Sequence, residues 1–246
     1  MRYQYSRQLT VPIYDCDHAC RLRPSSMLRY IQTVAGEHLD TLGLTHQRLF
    51  AEDFVFVVAA TALKIFRSPI AGETVTISTA PVNGRGANMV RETVLYAQSG
   101  ELLSECQSNW ALINPRTSRL LRASDFPYSL PLLQGAWTPF FDPTRIRIHA
   151  TPEKSAERVV RLSDLDQNLH MNNTVYADVA LDCFGDDYIN SGGIDTLLLR
   201  YHLQAKLHDS LSLVYGRQDQ MYVVGAHCSE KKCFEGAFSL KPLETV

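Results

Sequence analysis

The chain has 246 residues, of which 45% are hydrophobic and 20% charged, and its formal net charge is −2. This length exceeds one average domain and suits two of about 100–150 residues. The charge balance lacks the basic excess of a general nucleic-acid binder, and no apolar run approaches the roughly 18 residues of a membrane span. The opening stretch, MRYQYSRQLTVPIYD, has no apolar signal core, so a cytoplasmic setting is expected.

Six cysteines are present: Cys16, Cys20, Cys106, Cys183, Cys228 and Cys233. In a long chain without an export signal they are expected to be free thiols rather than a disulfide scaffold. Two pairs, Cys16/Cys20 beside His18 and Cys228/Cys233 beside His227, sit at opposite ends of the chain. Neither has the two-residue spacing of a zinc knuckle, so no metal is expected.

From the N-terminus, YDCDHACRLRPSSMLRY begins at Tyr14. Pro24 suits a first helical turn, and Met27, Tyr30, Ile31, Val34, Leu39 and Leu42 follow near helical spacing until Gly43 stops the helix. ALKIFRSPIAGETVTISTA then gives an apolar strand, a short break and an alternating strand over Thr74–Thr79. MVRETVLYAQ and LLSECQSNWALIN are joined by a Gln98-Ser99-Gly100 turn, a hairpin signal. Residues 123–143 hold four prolines with no clear period, and so predict a linker. Its aromatics, Phe126, Tyr128, Trp137, Phe140 and Phe141, suggest that it packs down. TRIRIHAT is expected to be the first strand of a second domain.

The pattern then repeats. SDLDQNLHMNNTVYADV begins at Ser163 and aligns with the stretch from Tyr14, setting Asp164 opposite Asp15 and Asp166 opposite Asp17. Asn168 and His170 stand where the first copy has Ala19 and Arg21. Asn172 or Asn173 should cap a second helix, with Val175, Val179 and Cys183 as its apolar stripe and Gly185 as a stop. LLLRYHLQAKLHDSLSLVY answers the first-half strand pair, with Asp209 opposite Glu73. QMYVVGAHCS and CFEGAFSLKP form a further hairpin. Asp164 is best explained as tying the loop to its own backbone. Asp166, Asn168 and His170 alternate on a polar loop before a helix and look like a site.

DLDQNLHMNNTVY in the second half, RLRPSSMLRYIQ in the first, and SPIAGETVTI between strands together resemble the bacterial acyl-acyl-carrier-protein (acyl-ACP) thioesterase family, over about residues 3–240. The resemblance implies an α+β tandem hotdog fold, each half a long helix wrapped by a curved antiparallel sheet. It divides the chain into a substrate-binding half at 1–122, a linker at 123–143 and a catalytic half at 144–246. It implies hydrolysis of the thioester joining a fatty acyl chain to acyl carrier protein, without metal or organic cofactor; the family's tandem hotdogs often pair further, so a homodimer is one option and the oligomeric state is left open. Some single hotdog thioesterases carry a glutamate on the first helix, which makes Glu37 and His38 a rival acid/base pair, although surface or interface roles are the plainer reading.

The family's catalytic Asp, Asn and His fall on Asp166, Asn168 and His170. Its glutamate, in a Tyr-x-x-Glu context, falls on Gln204 of Tyr201-His202-Leu203-Gln204, a departure that leaves Asp166 as the matched carboxylate. Backbone N–H groups near Asn172 and Asn173 are the expected oxyanion donors. The acyl slot is expected in the first half, lined by Met27, Ile31, Val34, Val57, Ala59 and Trp110. Arg21, Arg23 and Arg29 are candidates to meet the acidic carrier. The alternatives are an acyl-CoA thioesterase on the same fold, a non-catalytic acyl-binding protein, and a dehydratase-like hotdog, against which the intact Asp-x-Asn-x-His string argues.

Overall fold

The computed structural model describes residues 2–82, 86–140 and 153–243. The expected strand TRIRIHAT and Phe141 lie outside them. Among the described residues eleven strands build one antiparallel sheet. The first half supplies β1 (Tyr5–Thr10), β2 (Val55–Ile65), β3 (Thr74–Pro81), β4 (Asn88–Ala97), β5 (Leu102–Asn114) and the short β6 (Arg119–Leu121). The second supplies β7 (Lys154–Val159), β8 (Ile194–Tyr201), β9 (Ser210–Gln218), β10 (Met221–Cys228) and β11 (Lys231–Leu240). The order is β1-β3-β4-β5-β2-β8-β11-β10-β9-β7, with β6 on β5.

The order is a palindrome about the β2–β8 junction, so the sequence repeat becomes a two-fold relation. At the junction Ala62 pairs with Leu198, Thr61 with Leu199 and Leu63 with Leu197. Rotation therefore exchanges Ala62 with Leu198. Each half also carries a register shift beside the junction, between Val58 and Ala60 against β5 and between Ser239 and Leu240 against β8. Glu73 and Asp209 do correspond: their carbonyls accept from Val11 and Val160, and their carboxylates from the N–H groups of Ile70 and Lys206.

Helix α1 (Pro24–Thr41) starts with proline in its first turn. Met27, Leu28, Ile31, Val34, Ala35 and His38 share its buried face. The chain leaves through Gly43, whose φ of 72° suits glycine, and α2 (His46–Ala51) follows. The second-half helix is shorter than expected. It is split into α3 (Val175–Asp182) and α4 (Gly185–Ile189), so Gly185 opens a helix rather than closing one. The break falls at Phe184, whose ring turns into a cluster with Tyr215, Tyr222 and Phe238. One hydrophobic core runs through both halves, from Met27 and Ile31 to Phe234 and Phe238. A satellite core of Leu44, Leu49, Leu112 and Phe126 ties the start of the linker to the first half. No helix among the described residues is long and apolar enough to cross a membrane.

Candidate active site

The polar loop of the second half hangs on its aspartates. Buried Asp164 accepts from the Arg161 N–H at 2.8 Å and from Arg158 Nη2 at 2.9 Å, and its carbonyl accepts from the Asn172 N–H at 2.8 Å. The next turn closes when the Asp166 N–H donates to the His170 carbonyl at 2.8 Å and the Leu169 N–H to the Asp166 carbonyl at 3.1 Å. Leu169 sits at φ 61°. Asp166 Oδ1 accepts from the Asn168 N–H at 2.8 Å and the His170 N–H at 3.4 Å. Met171 N–H donates to the Ala205 carbonyl at 2.8 Å, and His170 bridges to Lys206. Those contacts bring the segment that carries Gln204 against the loop. Asn168 and Gln204 are exposed, while Asp166 and His170 are half-buried.

The first half builds the same turn. Asp17 N–H donates to the Arg21 carbonyl at 2.7 Å, Cys20 sits at φ 58°, and Asp17 Oδ1 accepts from the Ala19 and Arg21 N–H groups, both at 2.9 Å. One oxygen of each second aspartate therefore holds its loop. The copies differ in the other oxygen. Asp17 Oδ2 accepts from Arg21 Nε at 2.9 Å and from the Tyr188 hydroxyl at 2.7 Å. Burial alone would raise the Asp17 pKa, but the Tyr188 and Arg21 bonds outweigh it and hold it below the usual carboxylate range. Arg21 Nη1 donates to the Ser191 carbonyl at 2.9 Å. In the second half, Asp166 Oδ2 meets no donor among the described residues. His170 Nδ1, in Arg21's place, is buried without a partner.

Asn172 caps the approach to α3, since its Oδ1 accepts from the Thr174 N–H and hydroxyl. Its own N–H is committed to Asp164, so of the two expected oxyanion donors only the Asn173 N–H has no acceptor among the described residues. The acid/base pair on α1 is committed elsewhere. Glu37 accepts from the Tyr5 hydroxyl and Arg7, while His38 is buried against Arg91.

A cavity of about 620 Å³ lies in the first half, between the C-terminal part of α1, the sheet and the linker. Ala35, Leu39, Val55, Met89 and Trp110 line it, and Phe126 and Tyr128 of the linker close one side. Of the six expected lining residues the wall includes Trp110 alone. Met27, Ile31 and Val34 are packed in the core instead; Met27 and Ile31 precede Gln32, the first wall residue on α1. Val57 and Ala59 are half-buried on β2 beside the wall residues Val55 and Phe56. The buried wall residue Arg91 carried no signal in the sequence. All six cysteines are free thiols.

Family models describe the same two halves. The acyl-ACP thioesterase N-terminal domain matches residues 2–126, and the C-terminal domain matches residues 149–233. A chloroplastic acyl-[acyl-carrier-protein] hydrolase of Cuphea viscosissima is 26% identical over 198 residues, covering 72% of this chain and 46% of its own length. The chain thus spans about half the length of the curated relatives it matches. Among solved structures, an acyl-ACP thioesterase from Bacteroides thetaiotaomicron superposes with a TM-score of 0.82 at 20% identity, covering 96% of this chain and 97% of its own. A putative oleoyl thioesterase from Lactobacillus plantarum gives 0.81 at 20% identity, covering 98% and 97%. The fold is the tandem hotdog, and with models matching both halves the chain belongs to the acyl-ACP thioesterase family.

Proposed function

We propose that the protein hydrolyses fatty acyl-ACP to free fatty acid and holo-ACP, with its chemistry on the second-half loop and the acyl chain in the first-half cavity. The division of labour follows the expected boundaries: substrate in 1–122, linker in 123–143, catalysis in 144–246. One observation carries the reading. Two loops with the same backbone bonds differ in that Asp17 Oδ2 is bonded to Arg21 and Tyr188, while Asp166 Oδ2 meets no donor among the described residues and His170 Nδ1 is buried without a partner. A buried polar atom without a partner calls for an explanation, and a hydrogen bond to the substrate supplies one for His170 Nδ1.

The two-fold relation supports the location. Arg21 reaches Ser191 and lies against Gly193, whose counterparts across the repeat are Val55 and Val57. His170, as Arg21's counterpart, is therefore expected beside the edge of the cavity that Val55 lines. The volume falls within the range of about 300–1,000 Å³ typical of small-molecule pockets.

In this scheme Asp166 Oδ2 takes a proton from water as the water oxygen bonds to the thioester carbon. The carbonyl oxygen becomes an oxyanion facing the Asn173 N–H, and such a donor contributes about 3–4 kcal/mol at a transition state. The C–S bond then breaks, and the departing sulfur takes a proton from His170. Asn168 holds the carbonyl or the water. Gln204 orients water through its amide without accepting a proton from it. The scheme uses neither metal nor organic cofactor. Arg23 and Arg29 remain for the acidic carrier, since Arg21 is consumed by Asp17 and Ser191.

The test is thiol release by His170→Ala and Asn168→Ala beside wild type, on acyl-ACP and acyl-CoA of equal chain length. The expected result is a loss of 10²-fold or more, on the order of one general acid or base, with higher kcat/KM on the carrier protein. Unchanged rates in both variants would remove the loop from the chemistry. A preference for CoA would reassign the carrier, and acyl binding without thiol release would mark a binding protein. A cytoplasmic location, which suits free thiols, is checked by fractionation, and pairing of two copies by sedimentation.

A further inference from the structure

The two halves differ at one layer of the sheet. Arg91 on β4 pairs with Ser108 on β5, and Ser108 with Thr61 on β2. In the second half Tyr222 pairs with Phe238, and Phe238 with Leu197. Because the two-fold exchanges Thr61 with Leu197, Arg91 stands where the second half has Tyr222. There the layer is filled by aromatic rings: the Phe184 ring lies 4.9 Å from that of Tyr222 and 5.7 Å from that of Phe238, and the Tyr222 and Phe238 rings stack at 5.0 Å. The first half has an arginine and a cavity instead.

Arg91 is only 6% exposed, and it forms part of the cavity wall. Its Nη1 lies 3.2 Å from Thr79 Oγ1 and 3.2 Å from His38 Nδ1. Burial and then the Arg91 charge pull the His38 pKa down to about 4, so the ring is neutral at physiological pH and its Nδ1 accepts. Burial lowers the Arg91 pKa to about 10, which still leaves the guanidinium charged at neutral pH. No carboxylate pairs with it among the described residues, and both of its bonds run through Nη1. Nε and Nη2 therefore have no protein acceptor there, and a guanidinium offers five N–H donors in all. A buried cation without a counter-charge is costly. The fold itself does not demand one, because the second half builds the same layer without it.

We infer that Arg91 recognises an oxygen atom on the distal part of the acyl chain, so that the preferred substrates are hydroxy-, keto- or carboxy-substituted acyl chains rather than plain hydrocarbon ones. This rests on the reading of the cavity as the acyl site. β4 lies two strand spacings, about 10 Å, from β2, where the chain is proposed to enter, so the guanidinium meets the far portion of the chain. The oxygen supplies the acceptor that the protein withholds.

The experiment compares ω-hydroxyacyl-ACP with unsubstituted acyl-ACP of equal length, using wild type, Arg91→Lys and Arg91→Met. A hydrogen bond to a charged donor predicts a wild-type preference in kcat/KM for the hydroxylated chain of roughly 10- to 100-fold. Arg91→Met should abolish or invert this ratio, and Arg91→Lys should retain part of it. Circular dichroism checks folding, and should Arg91→Met fail to fold, the wild-type and Arg91→Lys ratios decide. A wild-type ratio at or below one, or a ratio unchanged in Arg91→Met, overturns the inference while leaving hydrolysis intact. If no acyl-ACP is cleaved, the thioesterase reading fails by itself. Calorimetric binding of fatty methyl esters with and without an ω-hydroxyl then decides the inference, and equal affinities overturn it.

Discussion

Replacing Ala35 with phenylalanine should convert the first half toward the second and shorten the acyl site. Ala35 sits on the buried face of α1, lines the cavity, and corresponds through the aligned helices to Phe184, whose ring helps fill the second half. A ring in a packed core would cost about 1–3 kcal/mol in strain, but beside about 620 Å³ of cavity it has somewhere to go. If the ring displaces about four methylenes of substrate, each worth about 0.8 kcal/mol, the loss is about 3 kcal/mol, or roughly 200-fold in kcat/KM. That loss should fall on long acyl chains and spare short ones. The assay is thiol release across acyl-ACPs of graded length, with thermal denaturation as a control for folding. A folded Ala35→Phe protein with an unchanged chain-length profile would refute the placement of the acyl chain in this cavity.

Asp17→Ala removes a saturated, buried carboxylate away from the proposed chemistry, and should cost about 3–5 kcal/mol of stability, read as a lower denaturation midpoint, with kcat nearly unchanged for the protein that remains folded. Because the folded-state pKa of Asp17 is depressed, its contribution is present above the unfolded value near 4 and is lost as pH falls through the folded value; the variant should show a flatter stability profile there. His38 is held neutral in the fold with a pKa of about 4, so wild-type stability should decline by about 3 kcal/mol as pH falls from about 6.5 to 4 and level off below; His38→Gln should remove that slope in urea titrations at stepped pH. Gln204→Glu restores a carboxylate on the segment beside the loop, and should raise kcat if its absence limits water activation; an unchanged kcat would assign proton abstraction to Asp166 alone.

Much of the fold was legible because its signals are local. Pro24 and Gly43 bracket α1 to within two residues, and LLSECQSNWALIN is β5 from first residue to last. The repeat of Asp15/Asp17 in Asp164/Asp166 foretold two copies of one turn, and their backbone bonds agree atom for atom. The break at Phe184 was not legible, because a helix stripe at Val175, Val179 and Cys183 says nothing about a ring that swings into an aromatic cluster. The lining of the cavity was not legible either. Apolar periodicity marks the inward face of α1 but does not separate Met27 and Ile31, which meet packed neighbours, from Ala35 and Leu39, which meet a void. Part of that void is walled by α2 and the linker, elements distant in sequence. Arg91 was hidden for a related reason: a charged residue in a strand ordinarily marks a solvated face, whereas β4 is buried on both faces from Arg91 to Leu95.

The central claim is that this chain cleaves acyl-ACP thioesters with the second-half loop. Thiol release by wild type and His170→Ala from acyl-ACPs of graded length tests it most directly. The account predicts turnover by wild type with an optimum in chain length, and loss of that turnover in a folded His170→Ala protein. Release of no thiol from any acyl-ACP by wild type, or equal release by both proteins, would contradict it.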